Sequence, residues 1–82
     1  MRKIVKQFAD TMERVLKEND YKGGWSKDNC SVEYLERRLI EEIGEYFRYI
    51  VNNEFESDEL VDIANFAMMI WDRRTQEARL SG

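Results

Sequence analysis

Proline is absent from this 82-residue chain, and its apolar residues recur at intervals of three and four. That spacing gathers apolar side chains on one face of an α-helix, and the absence of proline leaves long helices uninterrupted. No segment shows the alternating apolar and polar pattern of a half-buried strand. The pattern therefore predicts an all-α fold, an antiparallel helical bundle of about three helices per chain.

The first helix is predicted over residues 2–19, where apolar residues form one stripe at helical spacing. Residues 20–29 follow as a loop, because the adjacent glycines Gly23 and Gly24 are the strongest internal break in the chain. Ser31 is a suitable N-cap for the next helix, since a serine hydroxyl can accept a hydrogen bond from a first-turn N–H.

The second helix is predicted to end at about residue 51, because two asparagines follow and can adopt the left-handed conformation common at helix ends. A third helix is predicted to begin between residues 54 and 58 and to reach the mid-70s. Residues 75–82 are then expected to form a frayed tail. The third helix is apolar nearly all round over residues 60–71, so we expect it to be the most buried element.

The whole chain, residues 1–82, is assigned to a single helical domain. A domain of this size buries only about 60% of the surface that its unfolded chain exposes. Three helices have too few faces to cover a helix that is apolar all round. The surplus apolar surface therefore predicts a homo-oligomer, most simply a dimer with a tetramer as the alternative, in which further copies complete the bundle.

Composition excludes several functional classes. The net charge is −4 and no basic stripe stands clear of neighbouring acids, so we expect no nucleic-acid partner. Histidine is absent, which excludes histidine-based acid–base catalysis and histidine-ligated zinc. The single cysteine, Cys30, cannot form an internal disulfide, which fits a reducing compartment.

A membrane location is not expected either. The longest uncharged run, residues 63–71, is far shorter than the roughly 20 residues that a membrane-spanning helix needs. The first six residues carry charges on both sides of a two-residue apolar step, unlike a signal peptide. We therefore expect a cytoplasmic protein.

Five acidic residues form two motifs. Glu41, Glu42 and Glu45 read E-E-x-x-E, and Glu59 and Asp62 read E-x-x-D on the next predicted helix. Helical positions three apart share a face, so Glu42 and Glu45 project together, as do Glu59 and Asp62. Helical rotation puts these four at the edge of the apolar stripes, where they would repel one another unless a positive charge lies among them.

The four inward acids can meet if the turn between the two helices is centred at residues 52–53, because their axial levels then agree. A turn centred near Ser57 would put the pairs out of level. An all-oxygen site suits Mg²⁺ or Mn²⁺, and Mg²⁺ commonly takes a substrate phosphate as a further ligand, which favours a polyphosphate substrate. The alternative is that the acids form an ordinary solvated face of a charged chain.

The two motifs resemble those of the MazG-like, all-α NTP pyrophosphatase superfamily, whose hallmark is E-E-x-x-E followed by E-x-x-D on the next helix. The similarity covers about residues 20–72, including the apolar continuation at residues 59–66 and the sequence K-G-G-W at residues 22–25. The resemblance implies hydrolysis of a nucleoside or deoxynucleoside triphosphate to the monophosphate and pyrophosphate, by a water that Mg²⁺ activates.

The same resemblance implies roles for individual acids. Glu42, Glu45, Glu59 and Asp62 would be the metal ligands. Glu41 would be an outer carboxylate that orients or deprotonates the attacking water. Hydrolysis of another pyrophosphate compound, such as phosphoribosyl-ATP, is one alternative on the same scaffold. A non-catalytic helical interaction or regulatory module is the alternative from a different class.

Substrate contacts are less sharply specified. Trp25 could stack on a base while Lys22 or Lys27 meets phosphate, against the alternative that Trp25 covers the core edge and the lysines are solvated. Asn65 could bind a ligand or a metal-bound water, against the alternative of an interhelical hydrogen bond. These contacts are predicted from residue type and position alone.

Two arginines precede the first acidic motif. Arg37 and Arg38 could contact phosphates, but their spacing favours ion pairs with Glu33, Glu41 or Glu42 on the same helix. The sequence therefore predicts ion pairs for them.

Overall fold

The computed structural model describes residues 1–81 and contains three α-helices and one short 3₁₀-helix, with no strand in that range. Helix α1 spans Lys3–Glu18, α2 spans Val32–Val51 and α3 spans Ser57–Ser81, and the 3₁₀-helix Asp20–Lys22 follows α1. The all-α prediction of about three helices is confirmed. None of these helices combines the length and apolar character that crossing a bilayer requires.

The predicted ends of α2 are confirmed by local geometry. The Ser31 hydroxyl accepts a hydrogen bond from the backbone N–H of Tyr34 at 3.0 Å, which caps the helix. At the other end Asn53 has a φ of 55°, the left-handed conformation expected after residue 51. Helix α3 then begins at Ser57, inside the predicted interval.

The loop after α1 contains the expected glycine break. Gly23 and Gly24 have φ values of 98° and 76°, in the left-handed region where a residue with a Cβ is strained. The Asn29 side-chain amide donates to the Gly23 carbonyl and, at 3.3 Å, to the Ser26 hydroxyl. These bonds fold residues 23–29 back on themselves.

The predicted end of α3 was wrong. The helix continues beyond the mid-70s, so residues 75–81 are helical rather than frayed, and Gly82 lies outside the described residues. No glycine or proline interrupts residues 75–81. Arg74 and Glu77, one turn apart, form an ion pair at 3.4 Å across the expected boundary.

Helix α3 is the central element, because within residues 1–81 both α1 and α2 pack against it and not against each other. The Asn65 amide of α3 donates to the Met12 carbonyl of α1 at 3.3 Å, and Arg14 pairs with Asp58 at 3.2 Å. Because residue numbers rise along α1 as they fall along α3, the two helices are antiparallel. Helices α2 and α3 are also antiparallel, because Glu36 pairs with Arg74 at 3.5 Å whereas Glu42 lies beside Glu59.

The core is small, and α3 supplies much of it. The buried apolar residues are Val15, Val32, Leu35 and Val61. As expected, α3 has more buried residues than α1 or α2, but three of its four are polar or charged: Glu59, Asn65 and Arg73. Conversely, Trp71 within the apolar stretch is 66% exposed. The centre of the fold therefore contains groups that need partners.

Candidate functional site

Three carboxylates converge where α2 and α3 pack together. Glu42 and Glu45 of α2 and Glu59 of α3 each place one oxygen within 4.8 Å of the others. Glu42 and Glu59 are only 6% and 7% exposed, and Glu45 is half-buried. Because Glu42 and Glu45 are three apart on α2, they share the face that meets α3. We call these three residues the carboxylate cluster.

Asp62, the fourth predicted ligand, lies outside the carboxylate cluster. The connection between α2 and α3 comprises residues 52–56, so its centre lies between the two positions considered from the sequence. Asp62 lies one turn farther along α3 than Glu59, which is the α3 carboxylate that meets the α2 acids. Asp62 is half-buried there. The structure thus brings three predicted ligands together and keeps the fourth beside them.

Burial and neighbouring charge change the protonation of Glu59. Its burial, a hydrogen bond with Glu42 and the negative charges of Glu42, Glu45 and Asp62 raise the pKa of Glu59 to about 8. The Glu59 Oε1 atom is buried and has no hydrogen-bond partner. Without a cation, the cluster therefore holds a proton at neutral pH and leaves one carboxyl oxygen unsatisfied. This donor set, entirely of oxygen, fits a hard divalent cation such as Mg²⁺ or Mn²⁺.

The pKa of Asp62 is also raised by burial and by neighbouring negative charges. Burial raises the pKa of Asp62, and the negative charge of Glu42 raises it further. Asp58 and Glu45 act in the same direction, while Arg38 partly lowers it. The negative potential of the cluster therefore extends along α3 to Asp62.

A cleft of about 680 Å³ lies between α1, the 20–30 loop, α2 and α3. Glu42 and Asp62 form part of its wall, so the carboxylate cluster adjoins the cleft. Of the four candidate substrate contacts, all but Lys27 line the same cleft: Lys22, Trp25 and Asn65. Its volume falls in the range of about 300–1,000 Å³ typical of small-molecule sites. The structure thus assembles at one place residues that are far apart in sequence.

Trp25 is held in the cleft wall by α3. The indole Nε1 donates to the Asp72 carboxylate at 3.0 Å. Arg73, only 8% exposed, donates through Nη1 to the backbone carbonyls of Trp25 at 3.1 Å and Cys30 at 2.8 Å. Sequence reasoning missed these roles of Asp72 and Arg73. Their only signal was the appearance of charged residues on α3 directly after its apolar run.

Asn65 forms an interhelical hydrogen bond, as the alternative prediction stated, and its side-chain oxygen has no partner within residues 1–81. The residue is 3% exposed, and its Nδ2 atom donates to the Met12 carbonyl. That bond fixes the orientation of the amide, because the reverse orientation would set two oxygens against each other. The Asn65 Oδ1 atom is buried without a partner. The amide can therefore accept one more hydrogen bond.

Arg38 lies between the carboxylate cluster and the cleft. Its Nη2 atom donates to the Glu42 Oε1 atom at 2.6 Å, and Nη1 pairs with Glu41. The predicted ion pairs are confirmed for Arg38 but not for Arg37, which forms none within residues 1–81. The Arg38 guanidinium also lies 5.2 Å from the centre of the Phe66 ring. Glu41 is half exposed and lies outside the carboxylate cluster, linked to Glu42 through Arg38.

The two candidate phosphate-binding lysines are exposed. Lys22 lines the cleft, with its ammonium 5.7 Å from the Tyr21 ring centre. Lys27 is exposed within the loop. Of the two, only Lys22 contributes to the cleft wall.

Comparison of the chain with protein-family models, curated proteins and solved structures gave no significant match. The functional interpretation therefore depends on the geometry of the cluster and the cleft.

Proposed function

We propose that this protein is a nucleotide pyrophosphohydrolase of the MazG-like type, which uses a divalent cation to convert a nucleoside or deoxynucleoside triphosphate into the monophosphate and pyrophosphate. One observation carries the proposal. The oxygens of Glu42, Glu45 and Glu59 converge within 4.8 Å, and a buried oxygen of Glu59 lacks a partner. This arrangement adjoins a cleft large enough for a small ligand.

The carboxylate cluster would hold Mg²⁺ or Mn²⁺, with Asp62 as the adjacent fourth carboxylate. Arg38 pairs with Glu42 alone among the three acids of the cluster, so the cluster keeps an excess of negative charge, which supports a cation at this point. When bound, Mg²⁺ supplies positive charge that stabilises phosphate oxygens and lowers the pKa of water. The remaining steps depend on residues of the chain itself.

Residues of the cleft would bind and orient the nucleotide. Lys22 offers an ammonium to the phosphates, and Trp25 offers an aromatic surface to the base, since its Nε1 is already bound by Asp72. Asn65 offers the Oδ1 acceptor to a ligand hydroxyl, amine or water. Glu41 is the proposed outer carboxylate that orients the attacking water, because it is half exposed and directly precedes Glu42 on α2.

We also propose a homo-oligomer, built through an exposed apolar face of α2. Its members are Ile40, Ile43, Phe47 and Ile50, each at least 49% exposed. Their spacing of three and four residues forms a single stripe along the helix. A second copy of α2 would cover this stripe and make a four-helix arrangement from two hairpins. The cytoplasm is the proposed location, because nucleoside triphosphates are made and used there.

The decisive experiment is a pyrophosphate-release screen over the ribo- and deoxynucleoside triphosphates with Mg²⁺, with chromatography to identify the monophosphate product. Glu42→Gln and Asp62→Asn should each lower kcat by about 100-fold or more while circular dichroism stays helical. Glu13→Gln, an exposed acid on α1, is the charge-matched control and should retain activity.

The outcome also separates the alternatives. The absence of pyrophosphate release with every nucleotide tested would overturn the proposal for nucleoside triphosphates. If Mg²⁺ still stabilised such an inactive protein, hydrolysis of another pyrophosphate compound, such as phosphoribosyl-ATP, would become the preferred function. If it did not, a non-catalytic interaction module would be preferred.

A further inference from the structure

Arg38 lies where a bound cation would compete with it for Glu42. A polyphosphate in the cleft would compete with the carboxylates for the Arg38 guanidinium. Its guanidinium binds Glu42, which belongs to the carboxylate cluster, and also Glu41, which does not. The side chain is about one-third exposed and lines the cleft. Arg38 therefore contacts the carboxylate cluster and also forms part of the cleft wall.

The ion pair compensates charge that would otherwise be unbalanced. Glu42 is buried beside Glu45 and Glu59, and Arg38 is the cation that contacts it. A divalent cation in the carboxylate cluster would supply that compensation in place of Arg38. The interaction of Glu42 with the guanidinium would then weaken, because the carboxylate charge would be shared with the metal.

The chemistry of the guanidinium fits a second partner. Its planar fork of N–H donors matches phosphate as well as carboxylate, and both are commonly bound through two hydrogen bonds. The Phe66 ring lies against the guanidinium, and Phe66 also lines the cleft. The ring would therefore keep the arginine head at the cleft wall after its carboxylate partners have been lost.

We propose that Arg38 is a phosphate-binding residue that the carboxylates hold in the cation-free protein: it neutralises Glu41 and Glu42 until a divalent cation binds, and then contacts the anionic chain of the ligand. This inference rests on the proposed function, because it requires both a cation and a polyphosphate at the site. Arg38 then links cation binding to polyphosphate binding. Each event favours the other, because Arg38 exchanges its carboxylate partners for phosphate.

The test measures two affinities with defined probes, Mn²⁺ alone and inorganic tripolyphosphate in the presence of saturating Mn²⁺. Calorimetry on the wild type, Arg38→Gln and Arg38→Lys gives both. In Arg38→Gln, Mn²⁺ alone should bind several-fold more tightly, because the competing guanidinium is gone. Tripolyphosphate should bind about tenfold or more weakly, because a charged hydrogen-bonding partner is lost.

Two further variants make these results specific. Arg37→Gln removes the same charge from the neighbouring exposed position, and both of its affinities should stay within about twofold of wild type, because an exposed charge has weak effects. Arg38→Lys keeps the charge without the planar fork and should bind tripolyphosphate with intermediate affinity. If Arg38→Gln loses its helical circular dichroism, the Arg38→Lys comparison decides the question.

Opposite changes in the two affinities would support the proposal. Loss of both affinities in a folded Arg38→Gln would overturn it and indicate a purely structural arginine. Unchanged tripolyphosphate binding would also overturn it, since Arg38 would then serve only the acids. Failure of the wild type to bind Mn²⁺ would instead remove the proposed function, and this inference with it.

Discussion

Glu42 on α2 and Glu59 on α3 face each other across the helix interface, each more than nine-tenths buried and with carboxylate oxygens within 4.8 Å. Two ionised carboxylates cannot share such a position without strong repulsion, so one of them keeps its proton. This pair therefore couples stability to pH and, under the proposed function, to cation binding.

The first prediction concerns stability in the absence of metal. The pKa of Glu59 is about 8 in the folded protein against an ordinary value of 4.5, so the folded state binds the proton more tightly. Glu59 therefore destabilises the metal-free fold progressively as pH rises from 4.5 to about 8, by at most about 1.4 kcal/mol per pH unit. Urea unfolding in EDTA should show this loss in the wild type and much less of it in Glu59→Gln.

Because burial also raises the pKa of Asp62, the comparison is made between variants. Glu13→Gln removes an exposed carboxylate and should keep the wild-type pH dependence. An identical pH profile for Glu59→Gln and wild type would contradict the assignment of the proton to this site.

The second prediction concerns cation binding. A cation at 100 times its dissociation constant stabilises a fold by about 2.7 kcal/mol, which corresponds to a rise in Tm of about 10–20 °C for a domain of this size. Mg²⁺ or Mn²⁺ must displace the proton on Glu59, so the affinity should be higher at pH 8 than at pH 6. Thermal shift and calorimetry at both pH values measure this difference.

Matched variants locate that effect. Glu42→Gln and Glu59→Gln should abolish the metal-dependent rise in Tm, whereas Glu13→Gln should preserve it. A rise that survives in all three would place the cation elsewhere.

The third prediction concerns the attachment of the loop. Arg73→Met removes two hydrogen bonds to the carbonyls of Trp25 and Cys30 and should lower the free energy of unfolding by about 2–4 kcal/mol. In a Trp71→Phe background, Trp25 emission should also shift to longer wavelength as the loop loosens. Arg79→Met, at an exposed position of the same helix, should change neither quantity appreciably. Equal effects of the two substitutions would mean that Arg73 does not hold the loop.

The fourth prediction concerns assembly. Replacing Ile43 and Phe47 together by Glu puts two charges into the exposed apolar stripe of α2. Each apolar side chain that a second copy buries should contribute about 1.5–3 kcal/mol to association. Light scattering should show an oligomer for the wild type and a 9.9 kDa species for the double variant. Arg37→Glu is the control on the same helix. A wild type that scatters as 9.9 kDa at micromolar concentration would exclude the oligomer.

Features encoded within a few residues were predictable from the sequence. The Ser31 cap, the left-handed Asn53 and the shared face of Glu42 and Glu45 each depend on positions within one turn. The convergence of Glu59 with the α2 acids needed one further assumption, a short turn, which the connection at residues 52–56 satisfies closely enough.

Features that depend on long-range packing were not predictable. Arg73 contacts Cys30 across 43 positions of the chain, and nothing local distinguishes it from the exposed Arg74 beside it. The position of Asp62 depends on the axial register of α2 and α3, which a change of one or two turn residues shifts. The length of α3 was underestimated because its apolar run ends at residue 71, although charged pairs such as Arg74 and Glu77 continue the helix.

Within residues 1–81, helices α1 and α2 do not pack against each other, and they contribute different parts of the cleft and the carboxylate cluster. The acids come from α2 and α3, whereas α1 and the loop after it contribute other parts of the cleft wall, and α1 packs against α3. Substitutions at the cleft-facing residues of α1 would therefore alter the cleft wall without contacting Glu42 or Glu45 of α2. Under the proposed function, such changes would alter ligand preference more than cation affinity.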